Sequence, residues 1–341
     1  MAKILIHDVT LRDGNHAVAH QINVSQIAAY ATAANEAGIP IVEVGHGNGL
    51  GASSLQVGES AVDDRTMLIE AKKCLTQSKL AVHVIPGFAT INKDIKDALE
   101  LGVDVVRVAS HCTEADVTQR HIAYVRSKGK EAYGALMMSH MASPDVLVVE
   151  AQKMETYGAE GVVLYDSSGT YLPHMVTERI AGLVGKLNIP VGFHAHNNLG
   201  LGIANCIAAV EAGATIIDGS ARGFGAGAGN AQLEVVTAVL SRMGYDTQID
   251  LYKVLDAADV AEKELMKEIP RIRSLSVISG LAGVFSGFAK PVERISKQYR
   301  VDPRDVFFEL GRRQVVAGQE DIIIEVAAKL SKKGGKDGGS K

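Results

Sequence analysis

Cysteine is scarce in this chain. Cys74, Cys112 and Cys206 are too few and too scattered for a disulfide framework or a cysteine-ligated zinc site. Neither sign of charge dominates, since 35 Lys and Arg face 39 Asp and Glu, a formal net charge of −4. That balance gives no reason to expect nucleic-acid binding or adhesion to an acidic membrane. No uninterrupted apolar run is long enough to span a bilayer. The opening MAKILIHD reaches Asp8 after a very short apolar run, so a signal peptide is not expected and the cytoplasm is. A Gly-x-Gly-x-x-Gly turn is missing after the first strand, which argues against a doubly wound dinucleotide fold. The glycine-rich stretch 223–229 lacks the Lys-Ser/Thr of a P-loop.

What is present is alternation. In 341 residues, short β-branched runs alternate with helix-length segments eight times. Strands are expected at 4–11, 41–45, 80–85, 105–109, 131–138, 161–165, 191–195 and 215–218. Helical spacing falls at 26–37, 94–101, 145–157, 174–186 and 203–212, and Gly38, Gly102, Gly129, Gly158 and Gly213 mark helix ends before the next strand. Eight such units argue for an α/β fold, a (β/α)8 TIM barrel. After Asp246 the alternation stops, and helices are expected at 251–267, 289–299, 302–311 and 322–330. A connector is expected at 269–279, where Pro, Arg and Ser cluster. The expected domains are a catalytic barrel over 1–264, a small C-terminal helical domain over 265–330 and a Lys- and Gly-rich disordered tail over 331–341.

A barrel places function at the C-terminal ends of its strands. Polar residues fall there: Arg12-Asp13, His46, Ser110-His111, Ser139-His140, Asp166-Ser167-Ser168, His194-x-His196-Asn197 and Arg222 to Asn230. His194 and His196 are two apart and share one side of a strand. Two histidines bonded to neighbours would look the same, but with Asp13 at another strand end metal ligation is the better reading. Mn²⁺ is expected first, with Co²⁺, Zn²⁺ and Mg²⁺ open, because ligand type alone does not choose. Arg12 is either a charge partner of Asp13 or, since adjacent strand side chains diverge, a donor to a bound anion. His16, two residues beyond the turn, is placed as a base. His46, His111 and His140 are lesser candidates, and Cys112 reads as a buried thiol. Asn197 is expected to support the ligands rather than bind metal. Ser167 suits either a substrate carboxylate or a helix N-cap. The stretch 223–229 is expected to shape the site and lead into the last barrel helix.

Asp8-Val-Thr-Leu-Arg-Asp-Gly-Asn-His16, Glu43-Val-Gly-His46, the run from Val106 to Asp116, Leu136-Met-Met-Ser-His140, His194-Ala-His-Asn197, Gly225-Ala-Gly-Ala-Gly-Asn230 and Gly318-Gln-Glu-Asp-Ile322 together carry a resemblance over almost the whole chain. It is to the pyruvate-dependent metal aldolases of the barrel superfamily that includes isopropylmalate synthase and hydroxymethylglutaryl-CoA lyase, and within them to the 4-hydroxy-2-oxovalerate (4-hydroxy-2-oxopentanoate) aldolases. The resemblance implies a lyase of aromatic hydrocarbon catabolism that cleaves this 2-oxo acid to pyruvate and acetaldehyde through a metal-bound pyruvate enolate. It implies Asp13, His194 and His196 as metal ligands, Arg12 as enolate stabiliser, His16 as base and Ser167 as a substrate contact, with Arg12, Asp13 and His194 also facing substrate. An acylating acetaldehyde dehydrogenase, docked through the C-terminal helices and fed through a tunnel, is the implied partner. Relatives of this kind carry Tyr where this chain has Phe285, and Arg where it has Ala19, so the aldehyde accepted is open. A Claisen-type synthase or lyase on the same barrel would carry Gly-Glu-Arg or a cysteine in the glycine-rich loop, where this chain has Gly225-Ala-Gly-Ala-Gly229. A non-catalytic scaffold is the reading from another class, and the intact polar set argues against it.

Overall fold

Eight short apolar runs become parallel strands: β1 (Leu5–Asp8), β2 (Ile41–Glu43), β3 (Lys79–Val84), β4 (Val105–His111), β5 (Glu131–Met137), β6 (Val162–Asp166), β7 (Val191–Ala195) and β8 (Ile216–Gly219). Each pairs with its neighbour in sequence, and β8 returns to β1, so the sheet closes on itself as a TIM barrel. This computed structural model describes residues 2–337. Parallel neighbours need crossovers, supplied by α1 (Val24–Glu36), α2 (Asp64–Cys74), α3 (Lys96–Glu100), α4 (Gln119–Ser127), α5 (Pro144–Thr156), α6 (Pro173–Val184) and α7 (Gly202–Glu211). Two more helices, α8 (Leu233–Arg242) and α9 (Leu251–Leu265), follow β8 and complete the outer ring. Val254, Ala258, Ala261 and Leu265 of α9 join the large core between strands and helices.

Residues two apart on a strand share a face, and the inner face carries two kinds of side chain. Ile41, Ala81, Val105, Tyr133, Val163 and Ile216 form an apolar floor inside the barrel. On the same strands, nearer their C-terminal ends, stand Glu43, Arg107 and Asp218, all buried.

The first strand is shorter than its sequence suggests, ending at Asp8 rather than Leu11. The Asp8 carboxylate accepts the backbone N–H of Thr10 (2.9 Å), its hydroxyl (2.5 Å) and the Tyr30 hydroxyl (2.7 Å). Such a local bond offers the backbone an alternative to the ladder, and Asp13 N–H turns back to Val9 C=O at 2.8 Å. Arg12 and Asp13 therefore sit on a turn beyond the strand, leading into a 3-10 helix over Asp13–Val18.

Beyond α9, a second cluster of apolar residues joins α10 (Ser274–Ala282), α11 (Ala289–Tyr299), α12 (Pro303–Arg312) and α13 (Asp321–Asp337), with Val284, Phe288, Val292, Phe307, Leu310 and Ile323 at its centre. The expected connector is helical from Ser274 onward. Serine is a modest helix former, but packing overrides propensity, and Leu275, Ile278 and Ala282 lie against this second cluster. The backbone of 331–337 also continues α13 where a tail was expected, and 338–341 lie outside the described residues. Among the described residues, no helix is long and apolar enough to cross a membrane.

Burial raises the Asp8 carboxyl to about 6. A carboxyl whose folded value exceeds its unfolded one withdraws stability as the pH rises between the two. Asp8→Asn should therefore gain about 3 kcal/mol relative to the natural chain between pH 4 and pH 7. Urea midpoints across that range measure it, and a constant difference would contradict it.

Candidate active site

Asp13 is the meeting point of the barrel mouth. Its Oδ1 accepts Arg12 Nη1–H at 2.8 Å, and its Oδ2 accepts Asn230 Nδ2–H at 2.8 Å and Ala226 N–H at 3.2 Å. The Arg12 guanidinium beside it holds this carboxyl well below the usual carboxylate range, against the opposing effect of burial. The glycine-rich loop thus grips a side chain, and no lysine completes a phosphate cradle there.

Arg12 is the charge partner of Asp13, one of the two readings the sequence left open. Its Nε–H donates to Glu43 Oε1 at 2.7 Å, and Nη1 bonds Asp13 and the Gly47 carbonyl (3.2 Å). The turn brings Asp13 alongside it, whereas a strand would have separated the two. Nη2 is buried with no partner among the described residues.

His194 is the last residue but one of β7 and His196 lies just beyond its end, so both imidazoles reach the mouth. His194 Nδ1 lies 2.9 Å from Asp218 Oδ2, and its Nε2 lies 3.4 Å from His196 Nε2. Asp13, His194 and His196 are all buried and offer ligand atoms within 4.8 Å of one another. Burial lowers His196 to about 3, which keeps it neutral and able to ligate. Among the interlinked charges here, the carboxylates Asp13, Glu43 and Asp218 outnumber the guanidinium groups Arg12 and Arg107 by one. That surplus, with two imidazoles and a carboxylate converging, fits a divalent cation.

The cleft is lined by Arg12, Asp13, His16, Ser167, His194, Phe285 and neighbours. His16 sits on the 3-10 turn, and burial lowers its imidazole, with Asp13 pulling the other way. A Cβ on Gly47 would lie 2.5 Å from its Nε2, so this glycine makes room for the ring. Ser167 Oγ accepts Met138 N–H at 3.0 Å, which leaves its own hydrogen for the cleft. It is not a helix cap, since α6 begins at Pro173 with Leu172 as its N-cap.

The lesser candidates are structural. His46 stacks on His20 with ring centroids 3.6 Å apart, and its Nε2 and Nδ1 bond Gly58 C=O and Asn48 N–H. His140 bonds Gly283 C=O (2.9 Å) and Ser168 Oγ, and His111 pairs with Thr113. Cys112 donates to Met138 C=O, and burial pushes its thiol up to about 12, no nucleophile. Asn197 Oδ1 accepts Gly202 N–H at the start of α7 and braces that helix.

One wall comes from outside the barrel. Ser286 N–H donates to Ser167 C=O at 2.9 Å, Asn198 Nδ2–H to Ser286 Oγ at 2.8 Å, and Lys290 Nζ–H to Ala17 C=O at 2.6 Å. These bonds hold Phe285 over the cleft, its ring centroid 6.4 Å from that of His16.

The HMGL-like family matches residues 3–261, and a DmpG-like communication domain matches residues 270–332. The chain is 64% identical over 331 residues to the 4-hydroxy-2-oxovalerate aldolase of Spirochaeta aurantia, covering 97% of each. It belongs to the 4-hydroxy-2-oxovalerate aldolase family. To the aldolase of that name from Pectobacterium atrosepticum it is 62% identical, covering 97% of this chain and 96% of the relative. The aldolase is therefore a carbon–carbon lyase acting on an aldol. Among solved structures, the carboxyl transferase domain of Rhizobium etli pyruvate carboxylase with pyruvate and biocytin matches 97% of this chain and 61% of its own with a TM-score of 0.82. At 16% identity that likeness shows the fold alone.

Sequence reasoning about this aldolase put Asn230 among the polar residues at the mouth but missed Glu43, Arg107 and Asp218 as parts of the site. A signal was available for these three: a charged residue inside an apolar strand, as in IVEV, VVRV and TIID. At Gly225 a Cβ would stand 2.4 Å from Asp13 Oδ2 and 2.5 Å from Asn230 Nδ2. Gly225→Ala should leave the far-UV circular dichroism unchanged and lower aldol cleavage at least ~10-fold by moving the Asp13 carboxylate, given how steeply rate falls with misplacement. Cleavage at the natural rate would separate this contact from catalysis.

Proposed function

We propose that the chain cleaves 4-hydroxy-2-oxopentanoate to pyruvate and acetaldehyde by retro-aldol chemistry that depends on a divalent metal. The observation that carries this reading is the buried, unpartnered Arg12 Nη2 in the same cleft as the Asp13, His194 and His196 cluster. Asp13, His194 and His196 would hold the cation, Mn²⁺ first, with Co²⁺, Zn²⁺ and Mg²⁺ as alternatives. When bound, it supplies Lewis-acid polarisation of the 2-oxo group.

The chain's own residues do the rest. Breaking C3–C4 leaves an electron pair on C3, delocalised onto the keto oxygen as the pyruvate enolate. Arg12 Nη2, fixed by the bonds of its other two nitrogens, donates to that oxygen as charge develops. His16, kept neutral by burial, takes the C4 hydroxyl proton as the aldehyde forms. Ser167 donates its hydroxyl hydrogen to the substrate carboxylate. Phe285 offers the aldehyde end an apolar face without a hydrogen bond. Lysine is not required, because no Schiff base forms.

The separate apolar clusters support a division near residue 265 into a catalytic barrel and a helical unit. That unit would dock an acylating acetaldehyde dehydrogenase and pass it the aldehyde, a reading supported by the communication-domain match over 270–332. The free thiols Cys74, Cys112 and Cys206 suit the cytoplasm.

Chelation should abolish pyruvate release from racemic 4-hydroxy-2-oxopentanoate, with Mn²⁺ restoring it, while borohydride added with pyruvate leaves activity intact. The reverse pattern, read in a lactate dehydrogenase-coupled assay, would overturn the metal reading. Arg12→Ala should lose ~10²–10³-fold in both cleavage and pyruvate proton exchange. His16→Ala should lose cleavage and keep part of the exchange, and equal losses in both variants would undo the division of roles.

A further inference from the structure

Below the cleft lies a buried charge cluster that the proposed chemistry does not use. Arg107 is fully buried inside the barrel and is flanked on several sides. Its Nε lies 3.1 Å from Glu43 Oε2, Nη1 donates to the Tyr165 hydroxyl at 2.7 Å and to Asp218 Oδ2, and Nη2 meets His7 Nδ1. Glu43 is shared with Arg12, and Asp218 is the second carboxylate on this cation. Its Oδ2 is shared between Arg107 Nη1 and His194 Nδ1. A carboxylate accepts and does not donate, so the proton in the latter bond belongs to the imidazole.

His194 is restrained twice. Asp218 holds the Nδ1 edge, and Tyr165 lies along one face of the ring, centroids 4.4 Å apart and planes 22° from parallel. Tyr165 is itself pinned by Arg107. The edge left over is Nε2, and that is the edge that faces His196 and Asp13.

We propose that Asp218, held in place by Arg107, is a positioning residue for His194: its carboxylate accepts the Nδ1–H hydrogen bond, which keeps the proton on Nδ1 and leaves the Nε2 lone pair facing the place of the divalent cation. The inference rests on the metal reading above and adds to it a group that touches neither substrate nor cation. The ring then needs neither to change tautomer nor to rotate when the cation arrives, so metal affinity is set one residue behind the ligands. The same Arg107 reaches Arg12 through Glu43, so the donor to the enolate and the ligand imidazole share one anchor.

The first test uses the natural chain. In metal-free protein labelled with ¹⁵N-histidine, the resonances assigned to His194 by their loss in His194→Gln should show protonated Nδ1 and bare Nε2. A protonated Nε2 and bare Nδ1 would overturn the proposal, and this measurement stands whether or not any Asp218 variant folds. The second test titrates Co²⁺ into metal-free protein, followed by its visible absorption and by calorimetry. Asp218→Asn should bind Co²⁺ ~10–100-fold more weakly and show a mixed His194 tautomer, with Asp218→Glu recovering part of the affinity. Asp13→Ala separates the two readings. If the natural chain binds Co²⁺ and Asp13→Ala does not, yet Asp218→Asn binds within twofold of the natural chain, positioning fails and the metal reading survives. If Asp13→Ala binds as tightly as the natural chain, both fall.

Discussion

A carboxylate on the turn after β1 bonds the arginine beside it and an asparagine 217 residues further along the chain, and the mouth of the barrel is built around that meeting. Each ion buried there forfeits several kcal/mol of hydration. No single pair restores so much, so the charges are chained: Asp13 to Arg12, Arg12 to Glu43, Glu43 to Arg107, Arg107 to Asp218. Removing Arg12 would leave Asp13, and removing Arg107 would leave Asp218, buried without a guanidinium partner. The chain of charges also explains the shortness of β1, because Arg12 and Asp13 can be brought alongside each other only once the backbone has left the ladder.

The barrel supplies the place and the side chains supply the chemistry. A carboxyl transferase domain with 16% identity shares this backbone over nearly the whole chain, and such scaffolds host many reactions. This mouth combines a buried guanidinium nitrogen that has no partner among the described residues with three side chains, Asp13, His194 and His196, that could hold a metal ion. The acyl-CoA alternatives that the fold admits have lost ground to the aldolase relatives, which match along nearly the full chain.

Much of this was legible in the sequence. Eight alternations of strand and helix specify a closed parallel sheet, and the position of a residue at a strand end foretells that it faces the mouth. Asp13, His194 and His196 could therefore be grouped although 181 and 183 residues separate them. The layer beneath was not read, because Glu43, Arg107 and Asp218 each stand alone in an apolar strand and show their purpose only when the strands close. The reading of Arg12 assumed strand geometry where Asp8 had already ended the strand through Thr10 and Tyr30. The helix at Ser274–Ala282 was hidden for another reason: its serines resemble a loop, and only the second apolar cluster makes it worth winding.

Phe285 belongs by sequence to the outer helical unit and by position to the cleft. A tilt of that unit would be felt at the His16 ring without passing through any strand, because the Ser286–Ser167 and Lys290–Ala17 bonds are the only intermediaries needed. Inheritance is tied in the same way. A lineage that exchanged these outer helices for those of a relative would receive a new wall for the cleft in the same event.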